Sequence, residues 1–290
     1  EAGDVGRKIE LGRLAAPESP APLFLSAADT QAVLDWPSVC ERLRVAYVAA
    51  GSSESACARR TVVRGNGGSM RIQAAVPREG GIMGAKVFGH GALRQTEYTI
   101  LLIDKNGGHV LALVDGLLVT AVRTAATTAI ALDRMCARGP VRVAVLGSGD
   151  EARAHIEALA SLRSIGELRI YSPTPARREA LARSMGARFD SSATSTPQSA
   201  VAGADVVVAA ARSYAEQPIL YADWLSPSAI VASIGSTVPQ QRELDVSVIA
   251  ASELIVCDEV EEVLGDTGDM IAARGAGIPV ADRVASLADL

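Results

Sequence analysis

The stretch from Val141 to Ile156, VRVAVLGSGDEARAHI, constrains this chain more than any other, because it reads as a strand, a glycine turn and a helix start in one unbroken run. Val143 to Leu146 show no polar alternation, as a strand covered on both faces of a parallel sheet requires. Gly147 and Gly149 supply G-x-G, and Ala152 stands at the third small position of G-x-G-x-x-G/A. Each place carries its own demand: a tight turn at Gly147, close backbone approach to a pyrophosphate at Gly149, and close helix–strand packing at Ala152. Gly147, Ser148, Gly149, Asp150, Glu151 and Ala152 are thus the expected contacts of a dinucleotide. Alone the motif is weak, since any strand-to-helix turn can demand glycine.

The chain beyond the turn strengthens it. Ala152 to Leu162 has a helical pattern, Glu167 to Ser172 reads as a second strand and Ala176 to Met185 as a second helix. Ala204 to Ala211 is a strand of the fully buried kind, and Ala229 to Gly235 and Glu253 to Asp258 continue the series. Asp190 to Ser199 reads as a polar loop or short helix entry. Strands alternating with helices predict an α/β fold with a Rossmann-type doubly wound parallel sheet.

The first half differs. Ser26 is placed to cap a helix from Ala27 to Leu34, a second helix runs from about Pro37 to Ala50, and Gly51 to Ala56 reads as a small-residue loop. Strands are expected over 60–64, 69–75, 82–88, 96–103 and 109–114, with Asn106-Gly107-Gly108 as a hairpin turn. Thr124 is expected to cap a helix running to Met135. Residues 1–22, rich in Pro, Gly, Ala and charge, read as a flexible arm. Residues 23–123 with 260–290 form the expected α+β domain, and 124–259 the dinucleotide domain. Past Asp258, residues 265–269 read as a loop, with helical segments at Met270–Arg274 and Ala281–Leu290.

Composition narrows the partners. A net charge of -5 argues against a nucleic-acid surface, and Ile100 to Val122 is broken by Asp104, Lys105, His109 and Asp115, so no membrane span or signal peptide is expected. Four cysteines without C-x-x-C spacing and three histidines suggest no metal site, and the thiols read as free and buried in a reducing cytoplasm. An NAD-preferring fold places an acid at the end of its second strand, about 20 residues past the glycines. Here Ser172, Pro173 and Thr174 stand there, with Arg177 and Arg178 just beyond. Hydroxyls beside arginines suit a 2′-phosphate, so NADP(H) is expected ahead of NAD(H).

The runs 111–126 (LALVDGLLVTAVRTAA), 146–155 (LGSGDEARAH) and 235–245 (GSTVPQQRELD) together resemble the ornithine cyclodeaminase/mu-crystallin family, over about residues 23 to 275. The resemblance implies a homodimeric two-domain enzyme, with the Rossmann domain inserted into a smaller α+β substrate and dimerisation domain. It implies Lys86 as active-site lysine, and Arg60 and Arg123 as the substrate-carboxylate arginines. A guanidinium pairs bidentately with a carboxylate, and a lysine in a closed cleft can have its pKa lowered enough to exchange a proton with an imine. Arg59, Arg64 and Arg71 are nearby alternatives. Thr124, Ala210, Gly235 and Ser236 join Ser172, Thr174 and Arg178 as expected cofactor contacts. Where the cyclodeaminases proper carry a proton-transferring aspartate, this chain has Thr237, as in the mu-crystallin type; a hydroxyl is no general base near neutral pH. The family's final Phe-Lys-Ser-Leu-Gly-like segment has no counterpart here.

The expected activity is therefore NAD(P)H-dependent reduction of an α-imino acid, either a cyclic ketimine or an imine formed from an oxoacid and an amine. The alternatives are ammonia-releasing cyclodeamination and non-catalytic NADPH binding. His90 is expected as a loop histidine, Asp115 as a scaffold carboxylate and His155 as a packing residue.

Overall fold

The computed structural model describes residues 20–50, 56–91, 96–211 and 217–290; residues 1–19 of the arm expected over 1–22 and most of the loop over 51–56 lie outside them. A short strand, β1 (Leu23–Leu25), leads into α1 (Ala27–Val33) and α2 (Trp36–Ala50). Ser26 caps α1 reciprocally with Asp29, the arrangement its sequence predicts. Next come β2 (Ala56–Cys57), β3 (Thr61–Gly65), β4 (Gly68–Val76), β5 (Ile82–His90), β6 (Thr96–Asp104) and β7 (Val110–Asp115). Among the described residues these build a seven-stranded sheet in the order β1-β7-β6-β5-β4-β2, with β3 also paired to β4. Only β1 joins its neighbour in parallel.

Register decides what each face of this sheet carries. Arg71 pairs with Phe88 and Gln73 with Lys86 across β4 and β5, while Lys86 pairs with Ile100 and Phe88 with Tyr98 across β5 and β6. Side chains alternate along a strand, so these residues share one face. The opposite face holds Val63, Met70, Ile72, Val87, Leu101, Leu113 and Phe24. Several of these are exposed, Phe24 at 75%.

The helix α3 (Leu117–Met135) then crosses to β8 (Val141–Leu146). The remaining elements are α4 (Asp150–Leu162), β9 (Ile165–Tyr171), α5 (Pro175–Met185), β10 (Ser191–Ala193), α6 (Pro197–Val201), β11 (Val206–Ala209) and β12 (Ile230–Ser233). After them come α7 (Val246–Ala251), β13 (Ile255–Cys257), α8 (Val260–Asp266), α9 (Gly268–Gly275) and β14 (Val284–Ser286). A five-stranded parallel sheet has the order β10-β9-β8-β11-β12, the doubly wound arrangement in which order reverses beside the first strand. Both faces are covered. Val143 and Val145 pack with α3, α4 and α5 on one side, and Ala144 and Leu146 with α6, α7 and α9 on the other. That double burial is why β8 shows no polar alternation.

Several expectations need correction. Thr124 is no cap: it lies inside α3, where its hydroxyl donates to the Thr120 carbonyl, and the helix starts at Leu117, whose N–H is accepted by the Asp115 carboxylate. Asp115 is thus the scaffold group expected of it, and α3 runs across the expected boundary at 123/124. The expected loop over 265–269 is mostly helical, and Gly268 is glycine because a Cβ there would lie 2.1 Å from the Gln241 carbonyl oxygen. The C-terminal segment is not one helix, since pairing of β14 with β13 overrides its helical pattern. Residues 190–199 contribute β10 and most of α6. His90 ends β5 with its Nδ1 2.8 Å from the Thr96 hydroxyl, and Arg60 lies in a gap between β2 and β3. Cys40 and Cys257 are buried free thiols, but Cys136 is half-buried and Cys57 exposed.

Candidate active site

The glycine turn sits at the carboxyl end of β8, where the parallel sheet reverses its strand order between β8 and β11. Crevices at such reversals are where open α/β sheets hold ligands. Gly147 has φ +141°, and a Cβ on it would stand 2.4 Å from the Ala210 carbonyl oxygen, so no larger residue fits. A Cβ on Gly149, by contrast, would meet nothing within 4 Å. Open space therefore faces the backbone at the amino end of α4, where free N–H groups and the helix dipole favour an anion. Asp150 and Glu151 occupy the first turn of α4, and Ala152 is fully buried beneath it.

Neighbouring residues shape the same edge. The Ser148 hydroxyl donates to Ser172 Oγ at 2.8 Å, joining the turn to the end of β9. Arg178 donates to the Ser172 carbonyl and lies 5.9 Å from the centre of the Tyr171 ring, which keeps its guanidinium beside the residues where a ribose 2′ substituent is expected. Thr174 precedes α5 as its cap residue. No acid stands directly after β9 at that place. The residues fit a dinucleotide phosphate cradle.

Sequence reasoning assigned no role to Glu243, which the structure shows to organise this edge. Glu243 is 0% exposed, and its carboxylate accepts from Ala211 N–H, Ser233 Oγ, Ile234 N–H and Gly235 N–H. The ends of β11 and β12 are held by one side chain. Asp269 closes the network by accepting from the N–H groups of Glu243 and Leu244, and burial raises its pKa against those bonds. Ser236 donates to the Gln241 carbonyl and accepts from Asp269 N–H, while Thr237 donates its hydroxyl to Gln241 Oε1 at 2.9 Å. The signal was an Arg-Glu-Leu-Asp run in which a charged residue interrupts packing positions.

On the antiparallel sheet, Lys86 points from the central strand β5 with its Nζ 5.4 Å from the Phe88 ring centre and 5.7 Å from that of Tyr98. Burial first, and then the positive charges of Arg123 and Arg60, lower its pKa to about 8 against the opposing pull of Glu262. Lys86, Arg60 and Arg123 are thereby brought together from β5, from the gap in the edge strand and from α3. Arg60 forms an ion pair of 2.5 Å with Glu262 of α8, both mostly buried, and Arg59 pairs with Glu261 at 2.8 Å on the exposed side. Arg123 is half-buried and has no hydrogen-bonding or ion-pair partner among the described residues. Two guanidinium groups and an ammonium of low pKa can together bind a carboxylate and exchange a proton with a nitrogen beside it.

The ornithine cyclodeaminase/mu-crystallin family model matches residues 86–290, and the chain belongs to that family. It is 34% identical to rat ketimine reductase mu-crystallin over 189 residues, which cover 65% of this chain and 58% of that protein. The matched segment thus spans less than two thirds of that relative. With the Delta(1)-pyrroline-2-carboxylate reductase of Paracoccus denitrificans it shares 29% identity over 277 residues, covering 93% of this chain and 85% of the relative. The solved Delta(1)-pyrroline-2-carboxylate reductase of Thermococcus litoralis, in complex with NADH and L-proline, superposes with a TM-score of 0.84 at 24% identity, covering 92% of this chain and 85% of that one. At that identity the likeness speaks for the fold.

Proposed function

We propose that this protein reduces the C=N bond of a small 2-imino acid with a nicotinamide dinucleotide, giving an amino acid. The observation that carries the reading is Lys86, whose pKa is lowered to about 8 by burial and then by the charges of Arg123 and Arg60. The relatives named as ketimine and pyrroline-2-carboxylate reductases support it.

In this reading residues 124–259 form the cofactor domain, and residues 23–123 with 260–290 form the substrate domain. Gly147 to Ala152 hold the pyrophosphate, Ser172, Thr174 and Arg178 the adenosine ribose, and Thr124, Ala210, Gly235 and Ser236 line the nicotinamide end. The bound cofactor supplies a hydride. Arg60 and Arg123 bind the substrate carboxylate, which fixes the imine carbon and orients its nitrogen. Lys86 donates a proton to that nitrogen, and the resulting iminium carbon is a far better hydride acceptor than a neutral imine. With about half its population protonated near pH 8, Lys86 can both give and recover a proton. Thr237, tied to Gln241, borders the site without acting as a base.

Hydroxyls and Arg178 in place of an acid after β9 favour NADP(H) over NAD(H). The exposed apolar face of the seven-stranded sheet, with Phe24, Val63, Met70 and Leu113, favours a homodimer in which a second copy covers it. Among the described residues no helix is long and apolar enough to cross a membrane.

The test is the 340 nm absorbance of NADPH on mixing with pyrroline-2-carboxylate, piperideine-2-carboxylate, or an oxoacid with an amine. Oxidation establishes imine reduction. Ammonia release from ornithine with no net cofactor change would establish cyclodeamination instead, and bound but unoxidised NADPH would leave a binding protein.

A further inference from the structure

Arg71 is not needed by the reaction above, yet it stands on the same sheet face. It is the cross-strand partner of Phe88, and its guanidinium carbon lies 5.7 Å from the ring that Lys86 Nζ approaches to 5.4 Å. Arg59 and Arg60 each have a carboxylate partner, whereas Arg71 has neither an ion pair nor a hydrogen bond among the described residues. Its Nε is buried and unsatisfied. Burial and the nearby charges of Arg60 and Arg64 both disfavour its cationic form. A planar guanidinium with an unsatisfied edge in a partly dry site is destabilising until a planar anion meets it.

The charges around it point the same way. Lys86 feels the charges of Arg123 and Arg60, and Arg71 those of Arg60 and Arg64, so Arg60 is common to both. Glu262 is the carboxylate that acts on both Lys86 and Arg71. Glu262 is ion-paired with Arg60, so one substrate carboxylate bound at Arg60 and Arg123 leaves Arg71 without an ion pair of its own among the described residues.

We propose that Arg71 anchors a second anionic group of the substrate, so that the compound reduced here is a 2-imino dicarboxylate formed from a 2-oxo dicarboxylate and ammonia. This rests on the imine-reductase reading and narrows it. Condensation of the oxoacid with ammonia releases water; the imine nitrogen takes a proton from Lys86 and the carbon takes the hydride of NAD(P)H, leaving an amino dicarboxylate and NAD(P)+. A cation–π contact with Phe88, the guanidinium carbon 5.7 Å from the ring centre, favours one placement of the Arg71 fork that the distal carboxylate would meet.

The experiment compares ammonium with oxaloacetate, 2-oxoglutarate or pyruvate, and pyrroline-2-carboxylate alone, for wild type, Arg71→Gln and Arg71→Lys. The expected result is a dicarboxylate preference in kcat/KM of about 10²-fold or more, as buried charge recognition allows. Arg71→Gln removes it chiefly through KM, monocarboxylates change less than about threefold, and Arg71→Lys restores part of the preference. Equal or better turnover of monocarboxylates by the wild type, or an equal loss for both classes in Arg71→Gln, would overturn the proposal. Calorimetric titration with L-aspartate, L-glutamate and L-alanine, without cofactor and with NADPH, which cannot react with an amino acid, reads Arg71 without turnover. Dicarboxylate binding lost in Arg71→Gln supports the subsite even if no imine is reduced, in which case the reductase reading alone fails. No preference of the wild type for the dicarboxylates removes the subsite whatever the activity.

Discussion

The two sheets solve the same burial problem differently. Every residue of β11 is buried, and β8 has a single exposed position, because helices cover both faces of the parallel sheet. The strands of the antiparallel sheet are mostly half-exposed, and β4 has only intermediate and exposed positions. A sheet closed on both sides leaves only its rim open to a ligand, and here that rim has glycine and backbone N–H groups facing open space and strand ends held by the buried Glu243. The antiparallel sheet leaves the face of Phe24 and Met70 open, and its charged groups Lys86 and Arg71 share the opposite face. The rim at the glycine turn is therefore a matter of backbone shape, and the face that carries Lys86 a matter of charge.

That division can be broken from either side. The largest effect is expected from Lys86→Ala, which should lower kcat/KM for imine reduction by about 10³-fold while NADPH affinity stays within about twofold; loss of cofactor binding instead would erase the division. Gly147→Ala should do the reverse. Its Cβ collides with Ala210 and its φ is unfavourable for a side chain, so a stability loss of about 1–3 kcal/mol and at least a tenfold weaker NADPH titration are expected, visible in Tm and fluorescence. Met70→Glu on the open face should halve the mass seen by light scattering, with the parallel sheet's far-ultraviolet signature intact; an unchanged mass would remove the proposed dimer.

Smaller effects sharpen the picture. With Lys86 as proton donor, kcat/KM for reduction should fall as pH rises through about 8, and amino-acid oxidation should rise over the same range. Glu262 raises the Lys86 pKa, so Glu262→Gln should move the fall to lower pH; a shift to higher pH would contradict the assignment. The smallest expected change is in Arg178→Ala, a roughly tenfold loss in preference for NADPH over NADH, measured as a ratio of kcat/KM values.

Legibility ran along the same division. Val141 to Ile156 disclosed a buried strand, its turn and its helix, because local demands of φ and packing leave their mark on adjacent residues. The hairpin strands were legible to within a residue or two, and Asp115 and His155 took the structural places expected of them; His155 is buried with a pKa lowered to about 4. Lys86, Arg60 and Arg123 became visible only through family resemblance, since nothing local separates them from Arg64 or Arg59. Glu243 and Glu262 escaped because their partners lie on other elements: four groups on two strand ends for one, the edge-strand gap for the other. Thr124 misled because a threonine before an alanine-rich run looks like a cap, while the helix had begun at Leu117 behind Asp115 and Gly116.

The gap between β2 and β3 has a second effect besides freeing Arg60 from strand pairing. Both strands lie along β4 at the sheet margin, joined by three residues that include two arginines bound to α8. An unbroken margin would offer a run of free N–H and C=O groups on which another chain could continue the ladder. Here the run is interrupted and charged, and ion pairs hold α8 across it. Strand addition at this margin is thereby disfavoured by broken pairing and by charge.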